Sequence, residues 1–278
     1  MTTTLRPTGP IQSGADGAQR RAYDVCDNGR PVGSVTLAVE PGAGGATGVV
    51  EDLRIDEAVR RRGRGTIAAL AAEEILRGWG CSQVRTGVAA GDPAGQRLAA
   101  ALGYTENSRH MVKTLPEQPP ALADGLTARP IRPQEYAAWK DGAIAAYAES
   151  LVTRRVPQEA ALEVARASYA RHLPDGLATE GARLEYLIHE GGTVGHIWVA
   201  PFEMHPGLRV GYVFDVEVRE EARGRGYGRA LMLQAERIAL AAGERKIGLH
   251  VVTANTPAVR LYETLGYAPT KFHLAKPM

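Results

Sequence analysis

Only two cysteines, Cys26 and Cys81, occur in the 278 residues. That is too few for a disulfide framework, so a reducing compartment, the cytoplasm, is the expectation. No apolar run approaches the roughly 20 residues that a membrane span needs, and Met1–Ile11 lacks a basic start followed by an apolar stretch. Export and membrane residence are therefore not expected. Charge of one sign is also missing. With a formal net charge of +2 there is no broad basic field for a nucleic acid, although Arg60, Arg61, Arg62 and Arg64 cluster locally. Nor do His and Cys fall at metal-ligand spacing, so no metal is expected.

What is present is a glycine turn between a strand and a helix. Gly211–Val218 alternates, with Val216 and Val218 on one face and Asp215 and Glu217 on the other, the period of a strand. Arg229–Ala242 has no internal Pro or Gly and carries Leu231, Leu233, Ile238 and Leu240, which predicts a helix. Between them lies Arg223-Gly224-Arg225-Gly226-Tyr227-Gly228. Such a turn leaves backbone N–H groups unpaired at a helix N-terminus, where the macrodipole adds positive partial charge, so it suits a phosphate or pyrophosphate. Arg223, Arg225 and Arg229 add full charges. The spacing excludes two common nucleotide loops, since neither Gly-x-Gly-x-x-Gly nor a Gly-Lys-Ser/Thr ending occurs here.

The pattern that does match is Arg-x-x-Gly-x-Gly, as Arg223, Gly226 and Gly228. Asn255 follows some thirty residues on, then Arg260-Leu261-Tyr262-Glu263-Thr264-Leu265-Gly266-Tyr267. In this order the segments resemble the GNAT family of N-acetyltransferases. The resemblance implies a mixed α/β sheet and acetyl-coenzyme A as co-substrate, its pyrophosphate held by Arg223–Gly228. It further implies that Asn255 braces the pantetheine side and that Tyr262 protonates the leaving thiolate. Backbone N–H groups near Val216 or Val218 would hold the thioester carbonyl. The acceptor implied is a primary amine of a small molecule or peptide, served by a monomer or homodimer.

Compared with itself at a shift of 163 residues, the chain aligns Gly48–Leu115 on Gly211–Met278 without a gap, with 21 identities in 68 positions. Arg60, Gly63 and Gly65 fall on Arg223, Gly226 and Gly228; Leu102-Gly103-Tyr104 falls on Leu265-Gly266-Tyr267. Two tandem copies of one fold follow. The expected division is a degenerate domain over 1–115, a proline-rich linker over 116–124 and a catalytic domain over 125–278. Two helix-like segments, Gln134–Thr153 and Gln158–His172, have no counterpart in the shortened first copy. In the resembled family they form one wall of the acceptor site. Elsewhere a hairpin turning at Asp27-Asn28-Gly29 is expected, Pro41–Gly48 reads as a flexible connection, and the Thr- and Gly-rich residues before Arg20 as partly disordered.

The copies differ where proton handling would lie. Glu217, His250, Asn255 and Tyr262 face Arg54, Gly87, Asp92 and Ala99 in the first copy. The second copy is therefore expected to catalyse, and the first to serve assembly or coenzyme binding. An alkylamine of pKa about 10 is almost wholly protonated near neutrality, so a base must act. Glu217 is the first choice; Glu149 is the alternative base or amine anchor. Asp215, matched by Asp52, reads as a structural hydrogen-bonding group, and Asn255 also as a helix N-cap ahead of Pro257. Histidines 196 and 250 read as strand residues and Trp198 as core or pocket wall. Two alternatives stay open: a non-catalytic acyl-coenzyme A sensor, and a transferase of another acyl group.

Overall fold

In the computed structural model, residues 2–14, 17–42, 45–153 and 156–278 are described. Asn28 and Gly29, at φ 48° and 82°, form the expected two-residue hairpin turn between β3 (Gln19–Asp27) and β4 (Arg30–Glu40). Ahead of them, β1 (Thr3–Pro7) and β2 (Gln12–Ser13) both pair antiparallel with β3. This corrects the expected disorder before Arg20: Arg6 bonds Asp24 at 2.9 Å, and a backbone ladder outweighs the Thr- and Gly-rich composition. The Pro41–Gly48 connection is shorter than expected, because β5 (Ala46–Ile55) takes its last three residues; Ala43 and Gly44 lie outside the described residues.

The first copy continues with α1 (Arg64–Gly78), β6 (Cys81–Ala89), α2 (Pro93–Ala101) and β7 (Thr105–Thr114). The second runs β8 (Leu126–Pro130), α3 (Pro133–Thr153), α4 (Gln158–His172), β9 (Arg183–His189), β10 (Gly192–His205) and β11 (Leu208–Val218). It closes with α5 (Tyr227–Ala241), β12 (Lys246–Val252), α6 (Thr256–Thr264) and β13 (Ala268–Pro277). Among the described residues nothing in the first copy corresponds to α3 and α4. No described helix is long and apolar enough to cross a membrane.

The chain forms two compact units, Met1–Arg109 with Thr270–Met278, and His110–Pro269. In the first, the sheet order is β1-β3-β4-β5-β6-β13; in the second it is β7-β12-β11-β10-β9-β8, with β7 entering at His110. The sequence repeat ends elsewhere, at Leu115 and Met278. Each unit thus takes its last strand from the other copy. Lys271 to Pro277 run antiparallel to Ala89 to Gln83 in the first unit, while the Leu115 amide bonds the Arg245 carbonyl at 2.9 Å in the second. The segment after Leu115 is fastened too, the Pro120 carbonyl accepting from Arg237 at 3.0 Å.

Buried ionic clusters hold these end strands. In the first unit Glu73, 4% exposed, receives Lys276 Nζ at 2.7 Å and the Tyr104 hydroxyl at 3.0 Å. In the second, Glu236, 1% exposed, receives Lys113 Nζ at 2.6 Å, and that lysine lies 5.8 Å from the Tyr267 ring centre. Glu73 and Glu236, Tyr104 and Tyr267, and Lys113 and Lys276 are equivalent at the 163-residue shift. Either lysine therefore meets the glutamate of the other copy in an equivalent setting. Burial, then the glutamate charge, raises both tyrosine phenols far above their ordinary range.

Removing one partner of such a pair strands a charge where water cannot reach it, at a cost of about 3–5 kcal/mol, whereas an apolar replacement of both is near neutral. Lys113→Ala should therefore lower the unfolding free energy by about that amount in denaturant titration, and Lys113→Met combined with Glu236→Leu should restore most of it. A loss of less than about 1 kcal/mol from Lys113→Ala would show that the pair does not anchor the strand.

Candidate active site

Parallel strands β11 and β12 pair only at Gly211–Ile247, Tyr212–Gly248 and Val213–Leu249. Beyond Val213, β11 keeps β10 as its neighbour as far as Val218 opposite Gly195. The ladder explains the parting. Trp198 faces Asp215 while Val199 faces Val213, which leaves Phe214 as the extra residue of a bulge. A bulge bends its strand and increases local twist, and here it falls where β12 is lost. The first unit repeats the device, β5 pairing with β6 only from Ala46 to Val50. In the second unit the gap opens into a cavity of about 490 Å³, with Val213–Glu217 along one side and α3 and α4 as a wall.

Beside the gap lies the glycine turn. Gly224 and Gly226 have φ of 77° and 84°, and Gly226 is the N-cap of α5. Backbone amides from Gly224 through Arg229 meet no acceptor of the chain among the described residues, the next intrahelical bond being Ala230 N–H to the Gly226 carbonyl. Arg223, Arg225 and Arg229 are exposed, and Arg223 Nε–H reaches the Val218 carbonyl at 3.4 Å. Tyr227 points inward: its ring is 8% exposed and its hydroxyl lies 2.9 Å from His189 Nδ1, so only its amide remains free for a ligand. Gly228 packs closely, since a Cβ there would stand 3.3 Å from Leu261 Cδ2.

The other expected site residues separate. Val216 and Glu217 line the cavity, and Glu217 also borders a smaller one of about 320 Å³ with Trp139, Tyr186 and Arg219. Val218 contributes its carbonyl to Arg223. Asn255 caps α6, its Oδ1 accepting from the Ala258 amide at 3.2 Å. Tyr262 is 7% exposed on α6, outside the lining of the cavity, with Tyr267 5.9 Å away. Burial, and then the charge of Asp215, push its phenol up to about 12, so it carries its proton throughout the neutral range. Glu149 is exposed and outside the lining, although its neighbours Tyr147 and Ser150 line the same cavity.

Asp215 has a larger part than its sequence match suggests. His196 Nε2 lies 2.8 Å and the Tyr169 hydroxyl 3.3 Å from its Oδ2. Its counterpart Asp52 has no such setting, being exposed at φ 49°. Trp198 is 3% exposed and stacks on Phe214 at 4.7 Å, so it is both core and wall. Burial, then the neighbouring Arg171 charge, lower the pKa of His172 and keep it neutral, with its ring 4.8 Å from Phe214. Trp198 apart, reading the sequence missed this aromatic lining.

The family model described as "Acetyltransferase (GNAT) family" matches twice, over residues 6–104 and 162–267. The chain belongs to the GNAT acetyltransferase family. It is an acyltransferase built as a tandem of two such domains. Among its relatives is the N-acetyltransferase YycN of Bacillus subtilis, 29% identical over 53% of this chain and 95% of its own length. A mycothiol acetyltransferase of Streptomyces bingchenggensis is 31% identical over 74% of this chain and 65% of its own. In fold the chain is similar to a tandem GNAT protein from the clavulanic acid biosynthesis pathway, with a TM-score of 0.54 and 23% identity over 95% of this chain and 85% of that one.

Gly195 tests how tightly the site is built. A Cβ there would stand 2.3 Å from the Glu217 carbonyl, so Gly195→Ala must push β11 away from β10. Overpacking of this kind costs about 1–3 kcal/mol. Thermal unfolding should show that loss and a crystal structure should show Glu217 displaced; an unchanged melting curve would mean the strands give way freely.

Proposed function

We propose that the second unit transfers an acetyl group from acetyl-coenzyme A to a primary amine of a small molecule or peptide. The observation that carries this reading is the run of unoccupied amides from Gly224 to Arg229 at the start of α5, beside the parted strands. Amides there suit a pyrophosphate, and the exposed arginines 223, 225 and 229 add charge to match it. The pantetheine would run into the gap toward Val216 and Val218, where β11 has no partner strand and backbone N–H groups can polarise a thioester carbonyl. Asn255, already fixed as a cap, would brace its flank.

Transfer joins the amine nitrogen to the acetyl carbon and breaks the carbon–sulfur bond. Glu217, facing the cavity, takes the amine proton directly or through water. Tyr262, protonated because its pKa stands near 12, returns a proton to the thiolate. The products are an amide and free coenzyme A. No equivalent residues stand in the first unit, where Arg54 and Ala99 occupy those places. Arg64, which replaces Tyr227, is 5% exposed and holds Asp27 and the Val59 carbonyl. The first unit is accordingly assigned to assembly or coenzyme binding. A cytoplasmic setting fits the two unpaired, buried cysteines.

Thiol release with a panel of amines tests the reading, and calorimetry counts the coenzymes bound per chain. Turnover by the wild type is expected; two coenzymes bound and no turnover would favour an acyl-coenzyme A sensor instead. Arg225→Glu should weaken coenzyme binding by about tenfold while leaving the fold intact.

The pH dependence separates the two proton carriers. Because the Tyr262 phenol is raised from 10 to about 12, its acid form persists through pH 7–10 and kcat should show no alkaline fall from it in that range. Tyr262→Phe should lower kcat by about 10²-fold at every pH. Glu217→Gln should be most harmful near pH 7 and recover as pH approaches the amine's own pKa of about 10, where no base is needed. A pH-independent Glu217→Gln defect would exclude it as the base.

A further inference from the structure

The cavity beside β11 has a chemical character that the family alone does not supply. Among the described residues, its lining holds two carboxylates, Asp215 and Glu217, and no lysine or arginine. Asp215 is held in place by His196 and Tyr169. Around Phe214, the bulge residue, sits a cluster of rings: Trp198 at 4.7 Å, Tyr212 at 4.8 Å, His172 at 4.8 Å and Phe202 at 5.6 Å. Phe202, Tyr212 and Phe214 are only half-buried and line the cavity, so part of each meets it. Five lining residues carry hydroxyls, Tyr147, Ser150, Ser168, Tyr169 and Tyr212, of which Ser150 Oγ donates to the Tyr147 carbonyl at 2.7 Å and the Tyr169 hydroxyl lies 3.3 Å from Asp215 Oδ2.

Each feature excludes an acceptor class. An amino acid or other carboxylate-bearing amine would bring a negative group beside two of the same sign, with no cation to receive it. An amino sugar would turn its hydroxyl-bearing faces toward the rings around Phe214 and exchange hydration for apolar contact there. A cation with a flat apolar body meets complementary groups throughout, through ring stacking, cation–π attraction and ion pairing. A volume of about 490 Å³ falls within the range of small-molecule sites, roughly 300–1,000 Å³.

We propose, resting on the acetyl-transfer reading above, that the acceptor is an arylalkylamine, with its ring against Phe202, Tyr212 and Phe214 and its ammonium toward Asp215 and Glu217. Asp215 binds the cation as a specificity-determining residue, while Glu217 receives the proton that frees the nucleophile. The amine then attacks the acetyl carbon as described, with coenzyme A leaving as the thiol.

The test compares phenethylamine with phenylalanine, which adds a carboxylate to the same skeleton, and with glucosamine. Full-length protein is titrated calorimetrically with phenethylamine in the presence of coenzyme A, and thiol release from acetyl-coenzyme A is followed separately. Phenethylamine should bind, Asp215→Asn and Phe214→Ala should each weaken it at least tenfold, and coenzyme affinity should not change. Its kcat/KM should exceed those of phenylalanine and glucosamine by a hundredfold or more. Absent binding, binding indifferent to both substitutions, or equal turnover of phenylalanine or glucosamine would overturn the proposal. Site-dependent binding of phenethylamine without thiol release for any amine would sustain the ligand class and overturn acetyl transfer.

Discussion

Everything at the candidate site depends on β11 leaving β12 after Val213. A continuous parallel sheet would satisfy those backbone groups internally and leave no room between the strands. One extra residue, Phe214, bends β11 at that point, and three features follow together. A slot opens beside unpaired backbone, the carboxylates of Asp215 and Glu217 come to face a cavity, and Phe214 itself becomes the centre of an aromatic wall. The glycine turn completes the arrangement by presenting free amides at the mouth of the same slot.

The two units retain this geometry but differ in the side chains placed on it. In the first, Arg64 lies where Tyr227 stands in the second and turns inward to Asp27, which ties the turn to the end of β3. Its strand beside the gap carries Arg54 rather than Glu217, and its last helix carries Ala99 rather than Tyr262. Backbone shape is shared where these side chains differ, as expected when shape is held by packing and hydrogen bonding.

Much of this was legible in the sequence. The turn, the helix after it, α3 and α4 were found because glycine punctuation and apolar spacing are local properties. The bulge was not, because it is a relation between two strands: nothing in Val213-Phe214-Asp215 says which residue will lack a partner on β10. The partners of Asp215 were hidden for a similar reason, since His196 is 19 and Tyr169 46 residues away. Glu149 lies outside the lining although Tyr147 and Ser150 belong to it, because neighbours along a helix face different ways. Strand β1 was obscured by its Thr-rich composition, since pairing with β3 decides its state.

The strand exchange was undetectable in principle from self-comparison. Since the ends of the two copies match at His110 and His273 and at Lys113 and Lys276, either strand satisfies either glutamate, and sequence identity cannot tell a kept strand from a traded one. The trade sets a timetable for biosynthesis. A ribosome that has released Met1–Arg109 has delivered most of the first unit but not Thr270–Met278, which close its sheet beside β6. Until they emerge, β6 carries an unfilled edge.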